Sequence, residues 1–200
     1  MSEDTYKTII EPVEAIYTEK RSKFIAIAYP VSSVEEIKSH LEVCQKKYYD
    51  ARHVCYAYML GFERTNFRAN DNGEPSGTAG RPILGQINSN ELTDILIVVV
   101  RYFGGIKLGT SGLITAYKAA AADAIANASV IEKTVDDLIT IAFEYPFMND
   151  VMRVVKEEEP EIVSQSYDMD CLMTLRIRRS MMDRLRARLE KVETIRIIEE

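Results

Sequence analysis

Asp94-Ile95-Leu96-Ile97-Val98-Val99-Val100-Arg101-Tyr102-Phe103-Gly104-Gly105-Ile106-Lys107-Leu108-Gly109-Thr110-Ser111-Gly112 is the stretch from which the fold can be read. Its first part, Asp94 to Val100, is a nearly continuous β-branched run, the composition of a strand buried on both faces. A glycine string follows directly. Leu113 to Ala128 is then rich in alanine, as a closely packed helix would be. Glycine serves where backbone takes positive φ or approaches another group closely, and all nine glycines lie between Gly61 and Gly112. A strand, a glycine turn and a helix start in that order can hold an anion, because first-turn N–H groups and the helix dipole both favour negative charge. Arg101, Gly104, Gly105, Lys107, Thr110 and Ser111 are the candidate anion contacts, joined by Arg81 from upstream. The string is neither G-x-x-x-x-G-K-[ST] nor G-x-G-x-x-G. The same glycines suit a tight turn with close helix–sheet packing.

A second string precedes it: Asp71-Asn72-Gly73-Glu74-Pro75-Ser76-Gly77-Thr78-Ala79-Gly80-Arg81-Pro82. Asp71, Glu74, Ser76, Thr78 and Arg81 surround its glycines. Such a loop can hold a hydrated cation, supply general acid/base groups, or bond its own backbone. Its spacing is not that of an EF-hand. Phe62 to Gly80 reads as one long polar loop, and Ala79 to Asn90 as a helix with Pro82 in its first turn. His53 and Cys55 share one face of a strand predicted from His53 to Gly61. They admit two readings, a nucleophile–base pair or a structural histidine beside a buried cysteine.

Upstream, Glu14 to Pro30 reads as a hairpin broken by the polar run Glu19 to Lys23, and Tyr6 to Ile10 as a short strand. Ser33 with Glu36 three residues on forms a capping box for a helix with the apolar stripe Val34, Ile37, Leu41 and Cys44. Ser129 to Thr134 predicts the last strand of a first domain, residues 1–134. Residues 135–200 then read β-α-β-β-α-β, the order of a ferredoxin-like domain. Its strands fall at Leu138 to Tyr145, Ile162 to Tyr167, Cys171 to Arg178 and Thr194 to Ile198, with a turn at Asp168-Met169-Asp170. Arg176, Arg178 and Arg196 are expected on the open sheet face, and Arg184, Arg186, Arg188 and Lys191 on the last helix. Such a basic face suits nucleic acid or an acidic protein, or is simply solvated.

The chain carries 25 Lys and Arg against 31 Asp and Glu, a net charge of −6, so any nucleic-acid contact must be local. No apolar run reaches the roughly 20 residues that span a bilayer, and the N-terminal residues hold no apolar stretch of signal-peptide kind. Three widely spaced cysteines form neither a metal motif nor a disulfide framework. These features predict a cytoplasmic α+β protein with reduced thiols, no cofactor, no metal and no membrane partner.

Arg52-His53-Val54-Cys55-Tyr56-Ala57-Tyr58, Asp71 to Leu84 and Arg101 to Gly109, in this order, resemble the signature of the IMPACT/YigZ family. The resemblance implies a first domain similar to domain 2 of ribosomal small-subunit protein five and to elongation factor G domain IV. It implies a second, ferredoxin-like domain similar to elongation factor G domain V. These two similarities point to RNA, a ribosome or a translation-related protein as partner. Eukaryotic members of the family regulate translation with an additional N-terminal protein-binding domain, and their kinase-pathway role is not expected here. Asn72 stands where the family pattern leads to aspartate, which counts against a metal site. Ser111 and Thr115 stand where it leads to glycine and arginine, which leaves the helix start less basic. The expected function is a non-enzymatic binding protein that meets a phosphate-bearing partner through the glycine strings. Two alternatives stand beside it. One is an enzyme or sensor for a small phosphorylated or carboxylated ligand, with Asp71 or Glu74 as acid/base and His53 as polar neighbour. The other is a protein–protein regulator working through the C-terminal basic face.

Overall fold

The computed structural model describes residues 4–167 and 170–198. The chain forms two compact units: residues 6–133, and the residues from Thr134 onward together with Asp4 and Thr5. Among the described residues no helix is long and apolar enough to cross a membrane.

The first unit contains strands β1 (Thr5–Ile9), β2 (Val13–Glu19) and β3 (Ser22–Pro30), helix α1 (Val34–Lys47) and strands β4 (His53–Leu60) and β5 (Asn66–Asn70). Helix α2 (Gly80–Ser89), strand β6 (Ile95–Tyr102), helix α3 (Gly109–Asn127) and strand β7 (Val130–Thr134) follow. Five strands form one sheet in the order β2-β3-β6-β4-β5, every neighbouring pair antiparallel. β1 pairs with β7 in a separate two-stranded sheet. The run Ile95 to Val100 is fully buried because β6 is central and covered on both faces. Leu96, Val98 and Val100 face α1 with Ile25, Ile27, Ile37 and Val54. Ile95, Ile97 and Val99 face α2 and α3 with Phe24, Cys55, Ile83 and Tyr117. The period-2 alternation of strands thus divides β6 between two cores.

Local chemistry sets the element ends. Lys20 (φ 44°) and Arg21 (φ 68°) form the two-residue turn between β2 and β3, both left-handed, as a tight hairpin requires. The Ser33 hydroxyl accepts the Glu36 N–H at 3.2 Å and caps α1. The Glu36 carboxylate turns to the Ser32 N–H at 2.7 Å, one residue before the position a reciprocal box would use.

In the first unit three boundaries differ notably from the sequence reading. Phe62 to Gly80 is not one loop, since Asn66–Asn70 pairs with β4 as an edge strand. Edge strands are half solvated, so its polar composition carries little strand signal. β6 runs on through Arg101 and Tyr102, and α3 begins at Gly109 rather than Leu113.

The second unit contains β8 (Asp136–Phe143), a 3-10 turn (Tyr145–Phe147), α4 (Met148–Glu158), β9 (Glu161–Tyr167), β10 (Cys171–Arg178), α5 (Arg179–Leu189) and β11 (Arg196–Ile198). The first two residues expected in the β9–β10 turn, Asp168 and Met169, lie outside the described residues. The sheet order β11-β8-β10-β9 places the first and third strands of a βαββαβ unit at its centre, as in ferredoxin-like domains. Cys171, Met173, Leu175 and Ile177 alternate into a core with Ile141, Phe143, Val151 and Leu185. The expected basic face is largely neutralised. Arg176 pairs with Glu161, Arg178 with Asp4, Arg196 with Asp170, and Arg184 and Arg188 with the buried Glu158. Charges spent on neighbours leave little field for a partner, which weakens the regulator reading at this surface.

Candidate functional site

On the α2/α3 side of the sheet, pairing between β3, β6 and β4 sets Phe24, Arg101 and His53 side by side across three strands. Here the two glycine strings meet. Arg101 Nη1 donates to Glu74 Oε1 at 2.7 Å, and the Tyr117 hydroxyl of α3 donates to the same oxygen at 2.8 Å. Both charged side chains are buried, 8% exposed for Arg101 and 3% for Glu74. The guanidinium lies 5.7 Å from the Phe24 ring centroid and 5.6 Å from that of Phe103, within cation–π range of both. Phe24 meets Tyr117 edge-on at 5.1 Å.

The Cys55 thiol has one hydrogen and two oxygens within reach, the Asp71 carbonyl at 2.9 Å and the Tyr117 hydroxyl at 3.4 Å. Burial pushes its pKa up to about 12, so it stays a neutral thiol. Burial likewise raises the Tyr117 phenol far above its ordinary range, and the neighbouring Cys55 and Glu74 reinforce this. Cysteine, tyrosine, glutamate and arginine form one interior network, joined through Cys55 Sγ, Tyr117 OH, Glu74 Oε1 and Arg101 Nη1.

Asp71 supports the network from the loop. Its carboxylate accepts the Gly77 N–H at 2.8 Å, the Ala79 N–H at 3.0 Å and the Gly80 N–H at 2.8 Å. It therefore caps α2 from eight residues upstream, where the residues at the helix start have no side chain to do so. Burial alone would raise its pKa. The three N–H donors and nearby Arg81 outweigh that and hold it below the ordinary carboxyl value. Thr78 Oγ1 donates to the Pro75 carbonyl at 2.6 Å. The acid/base role expected of Asp71 gives way to loop fixation, because its oxygens are already occupied.

Above the network opens a pocket of about 630 Å³ lined by Arg52, His53, Glu74, Pro75, Arg101, Phe103, Lys107, Leu108, Gly109, Thr110 and Leu113. Arg52 and Lys107 are exposed, and Glu74, its one acidic group, is already paired with Arg101. Gly109 and Thr110 open α3, whose first turn has no side-chain cap. His53 Nδ1 lies 3.0 Å from the Asn72 carbonyl. A carbonyl only accepts, so Nδ1 carries the hydrogen and Nε2 is left as the acceptor of the neutral ring.

Of the residues expected at the site, the fold brings His53, Glu74, Arg101, Lys107 and Thr110 to this pocket. Asp71, Ser76, Thr78, Arg81, Gly104, Gly105 and Ser111 are not in its wall. Ser111 lines a separate cavity of about 240 Å³ with Lys20 and Thr115. Arg101 is the central pillar rather than a free anion contact, because β6 carries it into the core. Gly104 gives its missing side chain to the chain itself. A Cβ there would lie 2.0 Å from the Arg21 carbonyl carbon and 2.4 Å from the Ser22 nitrogen. Gly105 is open and needs glycine for its φ of 86°. Sequence reasoning gave no site role to Arg52, Phe103 or Tyr117. Arg52 and Phe103 flank predicted motif residues, whereas no local signal marks Tyr117. Among the described residues no group of three or more His, Cys, Asp or Glu could hold a metal ion.

The Impact N-terminal domain matches residues 20–125, a span that contains every lining residue of the pocket. The IMPACT family member YvyE of Bacillus subtilis (strain 168) is 34% identical over 155 residues, covering 78% of this chain and 71% of the relative. The IMPACT family member YigZ of Escherichia coli (strain K12) is 32% identical over 164 residues, covering 81% and 80%. The crystal structure of a hypothetical protein superposes with a TM-score of 0.76 at 28% identity, covering 98% of each chain. A domain match across the whole pocket, and relatives alike over most of their length, make this chain a member of the IMPACT family.

Proposed function

We propose that the chain is a non-enzymatic binding protein linked to translation, and that the pocket between its glycine strings receives a phosphate group of its partner, ribosomal or other RNA. The observation that carries this reading is the makeup of one pocket wall: two exposed cations, Arg52 and Lys107, beside the uncapped first turn of the 19-residue helix α3. The only carboxylate in that wall is neutralised by Arg101. A binding role is supported over catalysis because both Asp71 oxygens accept internal N–H groups and Glu74 Oε1 accepts from both Arg101 and Tyr117. The link to translation rests on the resemblance of the two domains to those of ribosomal small-subunit protein five and elongation factor G.

The pocket's concavity favours a second reading, a small phosphorylated or carboxylated ligand, since about 630 Å³ lies within the range of small-molecule sites. Binding of purified ribosomes, short single-stranded RNA and small phosphates at several salt concentrations separates the two. For RNA, Arg52→Ala with Lys107→Ala should lower affinity and flatten the salt dependence by about one to two units. Affinity for RNA and for small phosphates unchanged in the folded double variant overturns the anion pocket.

A further inference from the structure

We infer that the pocket is built for one nucleotide, with the base stacked on Phe103 and the phosphate at Lys107 and the start of α3. This rests on the reading of the pocket as an anion site and adds to it a recognition element for the base. Phe103 is 55% exposed, yet it stands in the wall of a pocket and not on an open surface. Its place is fixed on both sides in sequence. Arg101 is held by Glu74 in the core, and Gly104 is pressed against the β2–β3 turn, where its N–H donates to the Ser22 hydroxyl at 3.2 Å. The Arg101 guanidinium lies 5.6 Å from the Phe103 centroid, so the ring is backed by a buried cation while most of its surface stays open. A flat aromatic backed by arginine is the platform on which bases stack without regard to their identity.

A second observation is independent of the ring. Among the described residues Arg101 Nε is buried with no hydrogen-bond partner, although the side chain belongs to the pocket wall. Buried N–H groups are rarely left so, and a small shift of the side chain toward an acceptor atom in the pocket would meet this need. His53 and Thr110 add polar side chains to the same pocket wall. A bare anion would use the cations and the helix start but would leave Phe103 and the rest of the volume idle. A nucleoside phosphate uses all of them. It could arrive as a free mononucleotide or as the end of a single-stranded RNA.

The test compares adenosine and guanosine monophosphates, ribose 5-phosphate and a 5′-phosphorylated oligoribonucleotide on the full chain. Calorimetry gives affinities, and ligand-observed NMR reports whether base protons touch the protein. The nucleotide should bind about tenfold or more tighter than ribose 5-phosphate. Phe103→Ala should reduce that preference roughly fivefold to a hundredfold, the range that stacking on one aromatic supplies. Phe103→Leu keeps an apolar side chain without the flat ring and should behave alike. Binding of the oligonucleotide without binding of free nucleotides supports the inference and assigns the source to RNA. Equal affinity for ribose 5-phosphate and nucleotide in the wild type overturns the nucleotide while leaving the anion site standing. No binding of any of the four overturns both.

Discussion

Breaking the Arg101–Glu74 pair should strongly destabilise the first unit. Glu74→Ala leaves a guanidinium that is 8% exposed with no counter-charge and removes the acceptor of the Tyr117 hydroxyl. Removing one partner of a buried pair costs about 3–5 kcal/mol. The unit has about 130 residues, and unfolding entropy near 2.1 cal/mol/K per residue gives about 0.27 kcal/mol/K. The melting temperature should therefore fall by about 10–20 °C. Arg101→Ala should lie at the lower end, because Tyr117 still donates to the remaining carboxylate. The pair Glu74→Gln with Arg101→Met keeps an acceptor for Tyr117 and replaces the charge by apolar volume. It should recover most of the loss, since apolar replacements of buried ion pairs are often neutral. Thermal unfolding followed through amide NMR signals of β6 and α3 reads this unit alone. Two single variants that each melt within about 3 °C of wild type, or a double variant whose loss is their sum, would refute the coupling.

Gly104→Ala should destabilise by about 1–3 kcal/mol or more through collision with Arg21 and Ser22, whereas Gly105→Ala should cost about 1–2 kcal/mol from its left-handed backbone alone; chemical denaturation of both variants checks the order. Asp71 should make stability fall in acid. Its folded pKa is depressed, so its contribution is complete above the ordinary value of 3.8 and is lost as pH drops through the lower folded value. Comparing wild type with Asp71→Asn across pH 2–6 should show the difference shrinking below that point, and a difference independent of pH would count against the three-donor cap. Cys55, with its pKa pushed up to about 12 and its surface buried, should resist iodoacetamide in the folded protein and react on unfolding. Rapid labelling of native protein would show that the network opens.

Much of this fold is legible because its signals are local. The polar break between Glu19 and Lys23, Ser33 with Glu36, and the alternation from Cys171 to Arg178 each fix an element within a few residues. The edge strand Asn66–Asn70 escapes because its identity comes from pairing with β4 and not from its own composition. The site divides in the same way. Lys107 and Thr110 are placed by the glycine turn and helix start that contain them. Glu74, Arg101 and Tyr117 belong to three elements, 27 and 43 positions apart from Glu74, and only the finished sheet brings them together. Arg101 was expected to meet a partner's anion, yet two more residues of strand turn it into the core, where it takes an anion of its own chain.

The strand order has a consequence for the chain as it is made. β6 lies in the middle of the sheet but is synthesised after β2, β3, β4 and β5. Until residue 102 has emerged, β2–β3 and β4–β5 are two separate hairpins, each presenting to the other an unfilled lane. A nascent chain halted before Ile95 therefore offers two open edges of a kind that recruit strands from other chains. The missing piece, Ile-Leu-Ile-Val-Val-Val, is itself the most strand-prone hexamer of the sequence. Interrupted translation of this protein should give an aggregating fragment, not a smaller soluble domain, and supplying β6 from outside is the move that would rescue it.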